Sequence, residues 1–217
     1  MKKTVLFGIL LCLVLAGCGP ARDVPPETTA APTIGAKTVS PLPDTTLEHF
    51  TDGILSVSFE KEDAYVDDTG IMRMDLTVYT YDRYDLVDIS TLAVGDTLLR
   101  HAGSVEVTAL ERTETGAVLI NGGLDAGGFD LVTDDSGVYY EMGYSDVKSW
   151  YELGQVTLRV SVDFEGIDDA DPENPGVRLY PGDFLVGAVT NYDFTPYNTT
   201  LRVADGQVVE LHRRYTP

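Results

Sequence analysis

The stretch GIMRMDLTVYTY, Gly70–Tyr81, decides the fold. From Met72 onward its residues alternate: Met72, Met74, Leu76 and Val78 are apolar, while Arg73, Asp75, Thr77 and Tyr79 between them are polar or amphipathic. Successive side chains of a strand point to opposite faces, so this two-residue period predicts a strand with one face on a core and one on water. A helix would need apolar residues three and four apart, and no window of the chain sustains that spacing. Upstream, ILSVSFE repeats the alternation with Leu55, Val57 and Phe59 on one face. Downstream, SVEVTALE, GAVLING, FDLVTD, GVYYEMG, QVTLRVSVDF, FLVGAVTNY, TTLRVAD and QVVELHRRY follow at short intervals, bounded by Gly, Asp, Asn or Pro. Only YSDVKSWYELG reads as a place for a helical turn, ending at Gly154. The expected fold class is all-β: antiparallel strands and short hairpins forming a sandwich or small barrels, in one unit or two subdomains, after a disordered linker.

The connections carry turn chemistry. Asp205-Gly206 in RVADGQVVEL lies between two alternating runs, a hairpin signal because glycine accepts the positive φ that such turns require. LAVGDTLL (Leu92–Leu99) and LYPGDFLV (Leu179–Val186) share a Gly-Asp pair that is expected to turn the chain into an apolar strand. YVDDTGIM and LVTDDSGVY contain Asp68-Thr69-Gly70 and Asp135-Ser136-Gly137. These triplets resemble those that carry the catalytic carboxylates of pepsin-like aspartic proteases, whose chemistry needs two carboxylates about 3 Å apart sharing a proton. The flanks depart from that family's pattern: acids precede each triplet, and Ile71 and Val138 follow it. Strand, two acids, a hydroxyl residue, glycine, strand is the grammar of a polar hairpin turn, and both sites are read as turns.

The N-terminus reads MKKTVLFGILLCLVLAGC. Lys2 and Lys3 precede an apolar run, Thr4 to Leu15, that is shorter than the roughly 20 residues a spanning helix needs. The run ends in Leu15-Ala16-Gly17-Cys18, which resembles a bacterial lipoprotein lipobox. That resemblance implies a signal peptide over residues 1–17, cleavage before Cys18, and diacylglyceryl transfer to its thiol, with the chain lipid-anchored to the cell membrane on its extracytoplasmic face. The β-rich remainder resembles, in general style, lipoproteins of anaerobic Gram-positive bacteria, and no activity follows from the likeness. Residues 18–46 hold the lipidated cysteine and a Pro/Thr-rich linker with six of the eleven prolines, a composition that cannot bury a core. Residues 47–217 are expected to be the folded extracytoplasmic domain.

Charge and cysteine content exclude function classes. The chain has 15 Lys+Arg against 35 Asp+Glu, and removing Lys2 and Lys3 leaves 13 against 35, a balance of −22. Such a surface repels nucleic acid and anionic headgroups. The two cysteines, Cys12 and Cys18, lie in the signal segment and at the lipid site, so thiol catalysis, disulfides and Cys-ligated zinc drop out of the domain.

Two constellations remain. VDFEGIDDADPENPG gathers Asp163, Glu165, Asp168, Asp169, Asp171 and Glu173, oxygen donors of the kind a calcium ion takes from a flexible loop. Calcium is the one cofactor this pattern suggests; otherwise none is implied. Tyrosines and the sole tryptophan concentrate in VYTYDRYD, VYYEMGYSDVKSWYE and NYDFTPYN, and Tyr139, Tyr140, Tyr144, Trp150 and Tyr151 form a candidate glycan-binding face, since flat rings stack on sugars while acids and amides take hydroxyls. His49, His101 and His212 lack metal-ligand spacing. The resulting expectation is a non-catalytic binding module for an envelope glycan, a protein or calcium, with a carboxylate-dependent surface hydrolase as the competing class.

Overall fold

Leu55, Val57, Met74, Leu76 and Val78, assigned to a core by their alternation, are all at most 2% exposed. They face the inside of a closed barrel. The computed structural model describes residues 35–189 and 191–216, and from Ala36 the chain forms one compact unit. Its strands in chain order are β1 (Thr38–Val39), β2 (Gly53–Ser58), β3 (Ala64–Val66), β4 (Met72–Thr80), β5 (Arg83–Tyr84), β6 (Thr97–Arg100), β7 (Gly103–Glu106) and β8 (Leu110–Arg112). They continue as β9 (Val118–Ile120), β10 (Phe129–Thr133), β11 (Tyr139–Met142), β12 (Tyr151–Asp169), β13 (Val177–Leu179), β14 (Thr199–Ala204) and β15 (Gln207–Arg214). Within the described residues, two short α-helices, α1 (Leu86–Ser90) and α2 (Pro181–Val186), and four 3-10 turns lie among the strands. The fold is all-β, as the alternation predicts.

One sheet runs β13-β12-β15-β14-β2-β4-β3, and an additional β12–β4 pairing closes it on itself. The closure works because β12 is long enough to serve two neighbours. Its first half, Tyr151–Arg159, pairs antiparallel with β4. Its second half, from Arg159 to Asp169, pairs parallel with β15, with a register shift between Val160 and Glu165. Numbering the five barrel strands β2, β4, β12, β14 and β15 as one to five, their order is 1-2-3-5-4 and back to 1, the third and fifth being parallel. This is the connectivity of an OB-type Greek-key barrel. Leu158, Val160, Leu201, Val203, Val208 and Leu211 fill the interior from the remaining strands.

Helix α2 lies between the third and fourth barrel strands. Asp183 at its third position accepts a hydrogen bond from the Tyr180 backbone N–H at 2.7 Å, and Pro181 opens the first turn, so LYPGDFLV starts a helix and not the expected strand. The matching Gly95-Asp96 does enter a strand, β6. There Asp96, 6% exposed, accepts from the backbone N–H groups of Lys37 and Ala93. The same dipeptide thus serves two structures, and Pro181 decides which. Helix α2 buries Phe184 among Phe59, Phe164 and Phe194, each ring centroid 6.1 Å away.

Between β4 and β12 the chain builds a second module with its own core. Sheet β5-β11-β10-β9-β8 and sheet β1-β6-β7 enclose Tyr84, Ile89, Leu98, Ile120 and Leu131, all fully buried. Strand β1 pairs parallel with β6, so residues 36–46, assigned above to the linker, lie within the compact unit. Two pairings, β1–β6 and β12–β15, depart from the antiparallel expectation. The expected helical turn near Gly154 is confined to a single 3-10 turn at Tyr144–Asp146; Tyr151–Asp169, including Gly154, is strand.

Both Asp-hydroxyl-Gly motifs are hairpin turns. Asp67 Oδ1 accepts from the Thr69 backbone N–H (2.9 Å), the Thr69 hydroxyl (2.6 Å) and the Ile71 N–H (3.0 Å), joining β3 to β4. Asp134 Oδ1 repeats this with the Ser136 N–H (2.9 Å), the Ser136 hydroxyl and the Val138 N–H (3.2 Å), joining β10 to β11. Gly70 and Gly137 take φ of 81° and 78°, where a side chain would be strained.

Two predictions follow from this architecture. Phe184→Ala, which empties the centre of a phenylalanine cluster, is expected to lower the unfolding free energy by about 3–5 kcal/mol, read from urea denaturation. The second concerns acid. The Thr69 hydroxyl and then Arg73 hold the Asp67 carboxyl far below its ordinary range. The Ser136 hydroxyl lowers that of Asp134, against partial burial and with help from the Val138 and Ser136 N–H groups. A carboxyl lowered in the native state stabilises it above its unfolded value of about 3.9 and loses that contribution as pH falls toward the native value. The Asp67→Asn/Asp134→Asn variant, which keeps the Oδ1 acceptor of each turn and removes the charge, is therefore expected to melt below the parent at pH 7, with the gap closing below about pH 4. A gap constant down to pH 3 would show that the charges do nothing for the turns.

Candidate functional site

Thr80, the last residue of β4, is paired with Tyr151, the first residue of β12. The residues just beyond them, Tyr81 and Trp150, are consequently brought together although the whole second module separates them in sequence. Their rings meet edge to face with centroids 4.9 Å apart. Tyr140 joins from β11, 5.8 Å from Tyr81 and nearly perpendicular to it.

Lys148 sits at the centre of these rings. The segment carrying it is held against the end of β11: Met142 and Lys148 form a β-bridge, and Ser149 N–H donates to the Glu141 carbonyl at 3.0 Å. The ammonium lies 4.0 Å from the Tyr81 ring centroid, 5.1 Å from Tyr140 and 5.8 Å from Trp150. It also donates to the Tyr81 hydroxyl at 2.7 Å. Cation–π attraction of this kind fixes both partners, so the four side chains form one preset surface. Burial, then the Asp134 charge, raises the Tyr140 hydroxyl above its ordinary value, keeping it a neutral donor.

This cluster stands over the outer face of the barrel, where Thr200, Ser56 and Tyr79 lie side by side on β14, β2 and β4. Two cavities adjoin it. One, of about 280 Å³, is lined by Thr46, Ser56, Tyr79, Tyr81, Arg83, Lys148 and Trp150 among others. The other, of about 340 Å³, is lined by Ser56, Tyr140, Lys148, Trp150, Tyr197, Asn198, Thr200 and Arg214 among others. Ser56, Lys148 and Trp150 border both, so the cavities are two stations of one groove with Trp150 and Lys148 on the saddle between them.

A smaller cavity of about 160 Å³ lies on the far side of Trp150, lined by Asp82, Arg100, His101, Glu141 and Tyr151 among others. Its polar groups hold one another. Arg100 grips Glu141 with two hydrogen bonds of 2.6 and 2.5 Å. Asp82 accepts from the His101 backbone N–H at 2.6 Å and from the Tyr151 hydroxyl at 3.5 Å. His101 and Tyr151 stack with centroids 3.7 Å apart and planes 4° from parallel. Burial, then the Asp82 charge, pushes the Tyr151 hydroxyl up to about 12. With both carboxylates committed to partners, this cavity reads as the joint between the two modules.

Of the expected aromatic face, Tyr140 and Trp150 meet in the groove. Tyr139 does not: it precedes Tyr140 along a strand, points to the opposite face and is buried in the second module, donating to the Gly116 carbonyl at 3.0 Å. Adjacent strand residues cannot share a face, which corrects the expectation for Tyr139. Tyr151 is turned to the joint, and Tyr144 is exposed on the 3-10 turn and lines none of these three cavities. Tyr81, Lys148, Arg83, Tyr197 and Arg214 were not singled out by the sequence. The concentration of tyrosine in VYTYDRYD pointed toward Tyr79 and Tyr81, but nothing local marks Lys148.

The acidic stretch is spread along β12 and the turn after it. Asp163 and Glu165 are exposed on the strand, with Arg178 4.0 Å from Glu165. Asp168 is forked by Arg213, which is 3% exposed, and Asp169 bonds His212 at 2.7 Å. Asp171 accepts from the Glu173 N–H at 2.9 Å, and both residues are exposed in the turn. The expected calcium donors are thus divided between solvent and internal partners. Among the described residues no group of three or more His, Cys, Asp or Glu side chains converges as for a metal ion.

No protein family, curated protein or solved structure matches the chain.

Proposed function

We propose that this chain is a lipid-anchored, extracytoplasmic glycan-binding module that performs no chemistry on its ligand. The observation that carries the reading is the groove: Trp150, Tyr81 and Tyr140 packed around Lys148, beside the hydroxyls of Ser56 and Thr200. Rings held rigidly by each other and by a cation offer apolar faces at little entropic cost, and neighbouring hydroxyls exchange hydrogen bonds with sugar hydroxyls. Barrels of this connectivity use outer faces and loops for oligonucleotides and oligosaccharides. That analogy by itself assigns nothing; the aromatic groove beside hydroxyl groups argues for the second ligand.

The anchor rests on the lipobox-like Leu15–Cys18, which, with the signal segment and residues 19–34 of the linker, lies outside the described residues. A proline-rich tether would hold the module clear of the headgroups, with an extended reach of about 3.1 Å per residue.

Two experiments test the reading. Purified full-length protein is titrated with a panel of envelope oligosaccharides while its melting temperature is followed; a ligand at 100 times its dissociation constant adds about 2.7 kcal/mol. Trp150→Ala is expected to weaken that binding by a factor of about 30 or more, as truncation of a central aromatic anchor does. Unchanged binding in the variant places the ligand elsewhere. In cells, Cys18→Ala is expected to move the protein from the membrane fraction to the soluble fraction, and retention on the membrane would refute the anchor.

A further inference from the structure

The groove brings together three cations that have no carboxylate in contact. Arg83 lines one cavity, Arg214 lines the other, and Lys148 lies on the saddle between. Among the described residues, the cations within 4.0 Å of a carboxylate are Arg73, Arg100, Arg178, Arg202, His212 and Arg213. None of the three groove cations is in that set. Lys148 has the Tyr81 hydroxyl and the ring faces, and Arg83 has only a long hydrogen bond to the Pro43 carbonyl at 3.4 Å.

Seven of the twelve described lysines and arginines have no carboxylate within 4.0 Å: Lys37, Lys61, Arg83, Arg112, Lys148, Arg159 and Arg214. Here three such side chains line one continuous groove. Carboxylates act on them only from further off: Asp44 on Arg83, Asp134 on Lys148 and Asp169 on Arg214. The long-range field of the protein is negative, but it is screened beyond about 8 Å at physiological ionic strength. At contact distance the three cations decide, through charge-assisted hydrogen bonds that are about twice as strong as neutral ones.

Resting on the glycan reading of the groove, we infer that the ligand is an acidic linear glycan laid along both cavities, its anionic groups taken by Arg83, Lys148 and Arg214 while a sugar ring rests on Trp150. The groove is bordered at its two ends by different residues, Thr45 and Thr46 on one side and Pro196 and Tyr197 on the other, with the saddle shared. A chain that crosses the saddle touches both cavities, whereas a single sugar fills one. Recognition is therefore of an internal run of the polymer and needs at least two sugar units.

Trp150 is the only tryptophan of the chain and lines both cavities of the groove, so its emission responds to a ligand bound there. Full-length protein in detergent micelles is titrated, following that emission, with hexagalacturonate and hyaluronan hexasaccharide as carboxylate probes and glycosylated poly(ribitol phosphate) as a phosphate probe. The fully methyl-esterified galacturonate hexamer and the galacturonate monomer serve as controls. The expected result is a saturable change with at least one acidic polymer, weakened by added salt, and little response to the ester or the monomer. Which probe responds identifies the anionic group. The Arg83→Gln/Arg214→Gln variant, whose changes lie on exposed or half-exposed side chains, is expected to bind the responding polymer about tenfold or more weakly, with its melting transition intact. Equal binding of the acid and its ester would overturn the charge inference and leave the glycan reading standing. Equal binding of monomer and hexamer would overturn the two-station reading. If no glycan of either kind alters Trp150, the glycan reading falls, and this inference falls with it.

Discussion

Everything in this structure hangs on one strand that pairs with two different partners. Strand β12 is antiparallel to β4 over its first half and parallel to β15 over its second, and this double engagement turns an open sheet into a barrel. An open sheet of these strands would expose two rows of unpaired backbone groups, an invitation to pair with another chain. Closure instead satisfies them internally and leaves an interior narrow enough for side chains alone to fill, which Leu55, Met74, Val160, Leu201 and Leu211 do. The strand changes partners at Arg159, and the register shift just beyond it, between Val160 and Glu165, lets one run of residues bend around the barrel.

The same pairing makes the groove. A second module can be inserted between β4 and β12 without disturbing the barrel because the two points of insertion, Thr80 and Tyr151, are hydrogen-bonded neighbours. The module's ends must then leave side by side, and the residues at those ends are Tyr81 and Trp150. The contact between the two modules is secured by charge and ring stacking: Arg100 with Glu141, Asp82 with the His101 amide, His101 on Tyr151. A buried ion pair is weak evidence for stability, but it does select one arrangement of the groups that make it. Here the arrangement it selects holds Trp150 between the joint and the groove.

The distribution of the few basic residues follows from their scarcity. Arg213 is spent inside, forked on Asp168 and lying over the Phe194 ring at 4.4 Å. Arg100 stands over Phe129 at the same distance while pairing with Glu141. Arg112 donates to the carbonyls of Ile89, Ser90 and Leu92, the last turn of α1 and the residues just beyond it, where a cation complements the helix end. Cations committed to packing and capping are structural; Lys148 is held by the rings of the groove, and Arg83 and Arg214 line that groove without such commitments.

Alternation was enough to identify most strands and their buried faces, because a two-residue period has one structural meaning and β2 and β4 keep to it apart from exposed Ile54 and buried Thr80. Hairpin turns were equally legible: Asp67-Thr69-Gly70, Asp134-Ser136-Gly137 and Asp205-Gly206 act through bonds to their own neighbours, and local chemistry is written locally. Residues 179–186 were misread because the helix depends on Asp183 reaching back to Tyr180 under a proline, a contact that outweighs the apolar look of FLV. Tyr139 was misplaced because composition says that tyrosines are near one another, while only the pleat says which of two neighbours faces out. That Asp168 and Asp169 are held by Arg213 and His212 was not legible, because those partners come from β15, some 45 and 43 residues away. What the sequence by itself determined is therefore the strand pattern, the turns, the charge and the address label. What only the tertiary structure decided is closure through β12 and the meeting of Tyr81, Tyr140, Lys148 and Trp150, since contacts between distant segments depend on which strands pair, and pairing is a property of the whole sheet.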